Sequence, residues 1–450
     1  MSRAWTLWRV LGAEGPPSAA NRALDRLAEA RRRRAFAPAR AAYRLPAPAP
    51  VLNLVGQPPV PWLGGAALQL RERLAAEAAA RPVALLFPER GWRLELAAGD
   101  ERRAMHWNGR APEAPDLEDA RLADLVRRAA DVAGAGALHV EGLAGLPLAS
   151  LLALRRSGLE LVVSLHDFAA FCPRPHLVER PDERFCDYSR DARRCAVCLA
   201  QDWSLPAGFQ EERRGVAASL LGEAAAVVYP SEFLRGAHRA LFPDLDSLRQ
   251  RVLAPALALE PGPARRPAWP PRHVAYAGSV KPHKGAAVFA ELASGWGTRS
   301  PELRWSAYGG GDPGLLSRLR RAGVRARGYH RPGSLARLLA RDRVDLAILP
   351  SIVPEAFGLT LAECWAAGVP CVVFDLGAPA ERLRRQGGGW VVPAAAGAAG
   401  LADLLRRLVA GEERPPEVPR APAGAVGAAA RGMLELYREL GFTGAGPPPA

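Results

Sequence analysis

The chain has 450 residues, 49% of them apolar or aromatic and 24% charged, a balance that excludes a disordered or fibrous protein and favours at least two domains. No uncharged apolar run reaches bilayer length, and the first residues lack the apolar core of a signal peptide. Six cysteines are too few for a disulfide scaffold, so a soluble cytoplasmic protein with reduced thiols is expected. The net charge of +14 calls for an anionic partner, whether nucleic acid, an anionic membrane surface or a phosphorylated small molecule. Only two of the 60 basic side chains are lysine, Lys281 and Lys284. That skew, with abundant Ala, Gly and Pro, is the coding habit of a GC-rich bacterial genome, so much of the charge need not mark a surface.

Residues 1–45 form an extension with one helix over 21–35. Its terminal run, Arg31 to Arg34, reads as a solvated helix face. Prolines at 46, 48 and 50 then make a short stiff linker. From residue 51, apolar runs at 51–55, 83–87, 138–140, 161–165 and 226–229 alternate with amphipathic stretches at 66–80, 117–133 and 148–156. Apolar strands in βαβα order predict a parallel sheet covered on both faces. A Pro- and Gly-rich linker over 259–270 follows, and the alternation restarts. Strands are expected at 274–277, 304–308, 346–349 and 371–374, with helices at 286–293, 315–322, 335–340, 359–367 and 401–408; Gly368 suits a left-handed helix end. The predicted fold is therefore α/β, with two Rossmann-like doubly wound domains, 46–258 and 271–415, facing across a cleft. Residues 416–450 would add a helix and a flexible tail.

Ligands of open α/β sheets sit at the carboxyl ends of the strands, and three loops there carry suitable chemistry. Gly278-Ser279-Val280-Lys281-Pro282-His283-Lys284-Gly285 joins a strand to a helix, combining glycine, lysine and free helix N–H groups in a pattern suited to phosphate. Gly309-Gly310-Gly311-Asp312 allows close backbone approach. The third, from Pro354 to Glu363, places Glu355 before a helix and Glu363 inside it. Glu363 lies among Leu359, Leu361, Ala362, Cys364 and Trp365, where a carboxylate needs hydrogen-bond partners such as sugar hydroxyls.

The spacing of Glu355 and Glu363, the run PEAFGLTLAECWAAGVPCVV and the run YAGSVKPHKG together resemble the retaining GT-B glycosyltransferases of family 4. YGGGD (308–312), DLAILPS (345–351) and DLGAPAE (375–381) extend the likeness in the family's order. WLGGAALQL (62–70), SLHDFAAFCPR (164–174) and VVYPSEFLR (227–235) are looser counterparts in the first half. The resemblance implies catalytic roles for Glu355, His166 and Lys284. Glu355 would contact donor-sugar hydroxyls, aided by the N–H groups of Ala356, Phe357, Gly358 and Leu359. Glu363 would hold the nucleotide ribose, Lys284 the diphosphate, and Gly64 and Gly65 would close on it from the other domain, while Gly278, Ser279 and Gly310 would line the donor. Ser279 stands where the family often has arginine. The resemblance further implies a nucleoside diphosphate sugar as donor, a saccharide or lipid-linked acceptor and a place in bacterial surface polysaccharide synthesis. No Asp-x-Asp pair occupies a plausible active-site loop, so no catalytic metal is expected.

Cys172, Cys186, Cys195 and Cys198 match a structural zinc site that would pin the insertion over 172–198; incidental or redox-sensitive thiols are the alternative. Cys364 and Cys371 read as core residues. A sugar epimerase or phosphorylase on the same scaffold remains as a second activity. A nucleic-acid-binding role is disfavoured because the arginines are dispersed and no recognition motif is present. A lipid acceptor would bring the basic N-terminal half to the anionic inner membrane.

Overall fold

The computed structural model describes residues 12–39, 43, 49–60, 65–112, 115–247, 249–255, 258–259, 266–296, 302–419 and 425–442. They fall into two units. One comprises Glu29–Asp182, Cys186–Ala256 and Gly424–Ala450, the other Met1–Ala28, Glu183–Phe185 and Leu257–Ala423. The N-terminal extension is thus divided between them. Helix α1 (Pro16–Arg34) carries the chain from one to the other.

The first unit is built on β1 (Ala37–Pro38), β2 (Val51–Leu54), β3 (Val83–Pro88), β4 (Trp92–Ala98), β5 (Glu101–Trp107), β6 (Ala137–Glu141) and β7 (Glu160–Ser164). Strand β8 (Val178–Glu179) lies within the cysteine-bearing stretch, β9 (Arg184–Phe185) falls in the short segment that belongs to the other unit, and β10 (Ala226–Tyr229) and β11 (Gln250–Val252) follow. The sheet order is β1-β5-β4-β3-β2-β6-β7-β10-β11. Its helices are α2 (Gly65–Glu77), α3 (Ala120–Ala133), α4 (Leu148–Arg156), α5 (Ala192–Leu199), α6 (Phe209–Gly222) and α7 (Glu232–Leu241). Local signals set the boundaries. Helix α3 starts where the Asp119 carboxylate accepts the N–H groups of Arg121 and Leu122 at 2.9 and 3.2 Å, and it stops at Gly134, φ 68°.

The expected all-parallel sheet is corrected at one edge, where β3, β4 and β5 form antiparallel pairs. No strand was expected at β4 or β5, because charged residues interrupt their apolar pattern. Two of those charges are buried and paired: Arg93 meets Glu95 at 2.7 Å, and Arg32 of α1 meets Glu95 at 2.6 Å and Glu29 at 2.9 Å. Arg32 and Arg33 are therefore not part of a solvated face, although Arg31 and Arg34 are exposed. Burial alone would raise the Glu29 carboxyl, but hydrogen bonds from Arg32 and Arg33 outweigh it and hold the group at about 2.

The second unit carries β12 (His273–Ala277), β13 (Arg304–Tyr308), β14 (Arg325–Ala326), β15 (Leu346–Leu349), β16 (Cys371–Phe374) and β17 (Gly389–Val392). They form a six-stranded sheet in the order β14-β13-β12-β15-β16-β17, parallel throughout. Successive residues of β12 point to opposite faces. Val274 and Tyr276 join one core with Phe289, Leu316 and Leu404, and Ala275 and Ala277 another with Leu335, Leu361 and Ala380. Helices α8 (Ala286–Trp296), α9 (Pro313–Arg321) and α13 (Gly397–Val409) supply the first layer; α10 (Leu335–Arg341), α11 (Leu359–Ala366) and α12 (Gly377–Gln386) supply the second. A last helix, α14 (Ala425–Glu439), belongs to the first unit, where Met433, Leu436 and Tyr437 bury against Val51, Val162 and Val228. Among the described residues no helix is long and apolar enough to cross a membrane.

Candidate functional site

In the second sheet the winding direction reverses between β12 and β15, which makes the carboxyl ends of those two strands the place where a crevice forms. Both strands end in loops rich in glycine and proline. After β12, Gly278 adopts φ 127°, and Gly285, φ 72°, sits so tightly on the Pro350 carbonyl after β15 that no side chain fits. Between them a single turn over Pro282–Lys284 turns Lys284 back toward the β15 loop. Its ammonium meets the Glu355 carboxylate at 3.0 Å, with the two side chains 29% and 20% exposed. This pair is solvent-accessible enough to exchange one partner for a ligand.

Glu355 is set by its own backbone, whose carbonyl accepts the Ala378 N–H at 2.8 Å from the start of α12. Three residues on, Gly358 at φ 78° opens α11 with no side-chain cap. An uncapped N-terminus presents N–H groups and a partial positive charge. Arg382 of α12 braces this turn, donating to the carbonyls of Phe357 and Gly358 at 3.2 and 3.1 Å and lying 4.2 Å over the Phe357 ring. Ser279 contributes through its backbone: its carbonyl accepts the Tyr276 hydroxyl at 2.7 Å. The turn over Ala356, Phe357 and Gly358 joins Glu355 to the start of α11 at Leu359.

Glu363 stands one turn into α11, partly buried. Loss of water around its carboxyl lifts it from 4.5 to about 7, opposed by one hydrogen bond from the Gly333 N–H. Near neutral pH it is poised between acid and carboxylate.

At Gly310 the Glu14 carboxylate occupies the place a Cβ would take, and it accepts the Gly311 N–H at 3.2 Å. The glycine loop after β13 is also locked to the Gly278 loop, with the Val280 N–H donating to the Gly310 carbonyl at 3.0 Å and the Asp312 N–H to the Val280 carbonyl at 2.8 Å.

The first unit has a polar centre of its own at the ends of β6 and β7. His166 Nε2 lies 3.6 Å from Glu141, and Glu141 and Glu77 both pair with the buried Arg73 guanidinium. His139 approaches Glu141 at 3.2 Å and bonds Tyr437 Oη and Ser164 Oγ at 2.5 and 2.8 Å. Burial would raise the Glu141 carboxyl, but Arg73 first and then the histidines hold it at about 2; burial lowers His139 to about 3. A cavity of about 50 Å³ is lined by His166, Glu141, Arg73, Tyr229 and Met433. His166 Nδ1 and Tyr229 Oη are buried there without a hydrogen-bond partner. Glu141 carries no sequence signal beyond its charge at the end of an apolar run, and Arg73 none beyond the charged run Arg71-Glu72-Arg73. Gly65 opens α2, and Gly64 lies outside the described residues.

The four clustered cysteines are reduced and line one cavity of about 20 Å³ with Phe171, Leu177 and Arg214. Burial pushes the Cys172 thiol up to about 11, and Cys186 is raised as well. Among the described residues no three His, Cys, Asp or Glu side chains are arranged to hold a metal ion. The four thiols of the expected zinc site share one cavity. Cys364 and Cys371 are core residues.

Residues 271–411 match the family model for glycosyl transferases group 1. No curated protein matches the sequence. Among solved structures, a sucrose-phosphate synthase from Thermosynechococcus elongatus aligns with TM-score 0.56 and 16% identity over 87% of this chain and 98% of its own. A glycosyltransferase from Rickettsia africae gives 0.54 and 15% over 87% and 98%. Anabaena HepE, solved with UDP and glucose, gives 0.52 and 15% over 87% and 97%. At these identities the likeness is one of fold. Joined to the group 1 domain match in the second unit, it identifies the chain as a glycosyltransferase with a GT-B-type fold.

Proposed function

We propose that the chain is a retaining, family 4-type transferase that moves a hexose from a nucleoside diphosphate sugar to a saccharide or lipid-linked acceptor in bacterial surface glycan synthesis. The observation that carries this reading is the Lys284–Glu355 pair at 3.0 Å, set beside the uncapped start of α11. HepE, of the same fold, has been solved with UDP-glucose, and a donor of that class suits this chain's site. Breaking the anomeric C–O bond leaves its electron pair, and a growing negative charge, on the diphosphate. Lys284 supplies a compact cation to that charge, and the N–H groups of Ala356 to Leu359 supply fixed dipoles; each such group contributes roughly 3–4 kcal/mol to transition-state stabilisation. Glu355, released from Lys284 when the diphosphate arrives, accepts hydrogen bonds from sugar hydroxyls. Glu363 accepts those of the ribose. His166, backed by Glu141, serves the reacting sugar or its acceptor. A lipid-linked acceptor would be met at the anionic inner membrane surface from the cytoplasmic side.

The test is a panel of UDP-, GDP- and ADP-sugars with acceptor, following nucleoside diphosphate release by wild type and Glu355→Ala. The reading predicts one preferred donor and a loss of turnover of two orders of magnitude or more in the variant. Equal turnover by both proteins removes Glu355 from the reaction, and interconversion or phosphorolysis of the sugar without transfer points to the epimerase or phosphorylase activity instead.

A further inference from the structure

The N-terminal part of α1 is turned inside out for a surface helix. Its leucines face solvent, Leu24 at 49% and Leu27 at 57% exposure, while Ser18 and Asp25, with Glu14 just before the helix, are at most 6% exposed. A helix that only covered a core would bury the leucines. This one docks through directional polar contacts, and nearly all of them converge on the loop between β14 and α10.

Tyr329 is gripped from every side. Its N–H donates to Ser18 Oγ at 2.9 Å and to the Glu14 carboxylate at 3.3 Å, its carbonyl accepts Asn21 Nδ2 at 3.2 Å, and its hydroxyl donates to Asp25 at 2.7 Å. The Arg22 guanidinium lies 4.3 Å over its ring and is anchored to Glu14 at 2.7 Å. Two residues on, Arg331 Nε donates to the second oxygen of Asp25 at 3.0 Å. The Arg331 carbonyl closes a turn by accepting the Ser334 hydroxyl and N–H at 2.6 and 3.1 Å. Within that turn Gly333, φ 77°, directs its N–H to the Glu363 carboxylate. Gly328, at the other end of the loop, has no room for a side chain because Glu14 and Ser18 pack on it.

We propose that Asp25, with Glu14 and Tyr329, are positioning residues for the donor nucleotide: the N-terminal helix fixes the loop over 328–333, and through Gly333 it fixes the carboxylate that receives the ribose. The inference rests on the proposed role of Glu363. It makes residues 14–25 part of the donor-binding apparatus, although they lie some 250 residues before the matched domain.

The experiment measures nucleoside diphosphate binding calorimetrically, with UDP and GDP as probes, and donor KM and kcat for the full chain and for Asp25→Ala, Asp25→Asn and Tyr329→Phe. Asp25→Ala is expected to weaken nucleotide binding and raise donor KM by about tenfold while kcat stays within about twofold. Asp25→Asn, which keeps acceptor oxygen and volume, should recover most of the loss. Tyr329→Phe removes one hydroxyl from a loop otherwise intact and should give a smaller change of the same kind. Full-strength binding by Asp25→Ala and Tyr329→Phe, or a fall in kcat with KM unchanged, overturns the inference and leaves the proposed function standing. If wild type binds neither UDP nor GDP, the donor-site reading fails, and this inference fails with it.

Discussion

Replacing Glu363 by glutamine separates a binding carboxylate from a structural one. A carboxyl held at about 7 instead of 4.5 costs about 3 kcal/mol more to ionise than an ordinary one, at about 1.4 kcal/mol per pH unit. Its folded value lies above its unfolded value. Between pH 4.5 and 7 the folded chain therefore holds more protons than the unfolded chain, and stability falls as pH rises through that window. Above pH 7 the loss is complete. Glutamine carries no charge and keeps an oxygen for the Gly333 N–H. At pH 8 Glu363→Gln is therefore expected to be more stable than wild type by about 2–3 kcal/mol, and at pH 5.5 by about 1 kcal/mol or less. Nucleotide binding should move the other way. Losing charge-assisted acceptors for two ribose hydroxyls weakens binding by about tenfold to a hundredfold. Urea unfolding at the two pH values and UDP or GDP calorimetry on the same samples give both numbers. A variant less stable than wild type at pH 8, or one that binds nucleotide equally well, refutes the reasoning.

Three further outcomes follow from the geometry. Lys284→Ala should lower kcat/KM by two to three orders of magnitude, since about 3–4 kcal/mol of charge stabilisation is lost, with Lys284→Arg intermediate; steady-state kinetics with the preferred donor check this. Glu141→Gln leaves the buried Arg73 cation short of one partner and should cost about 3–5 kcal/mol of stability in the first unit, whereas His166→Ala should cost little stability and reduce transfer, a contrast visible by denaturant titration alongside rate measurement. Gly285→Ala forces a side chain into the Pro350 carbonyl at φ 72° and should destabilise the second unit by on the order of 3 kcal/mol, measured by thermal or chemical unfolding; an alanine variant of wild-type stability contradicts the close packing of the two loops.

The parallel strands were legible because each is a short, wholly apolar run, and burial on both faces leaves no alternation to misread. Glu355, Glu363 and Lys284 stood out as candidates because charge in an apolar, glycine-punctuated loop is costly without a partner, and the structure brings Lys284 and Glu355 within 3.0 Å of each other. The β4–β5 hairpin was not legible, since Arg93 and Glu95 look like solvent-facing residues until Arg32 of α1 is seen to cover them. The docking of α1 was hidden for a similar reason. Hydrophobic patterning finds the apolar face of a helix, and here the buried face is made of Glu14, Ser18 and Asp25, whose partners lie some 300 residues away in the chain. The approach of Glu14 to Gly310 was hidden too, because a glycine loop allows close contact without saying by what. The cysteine spacing announced proximity, and the four side chains do line one cavity.

The most direct measurement is a crystal structure with bound nucleoside diphosphate. The account predicts the terminal phosphate against Lys284 Nζ and the start of α11, with both ribose hydroxyls on Glu363. A diphosphate seated elsewhere on the second sheet, with Lys284 and Glu355 still paired to each other, would contradict it.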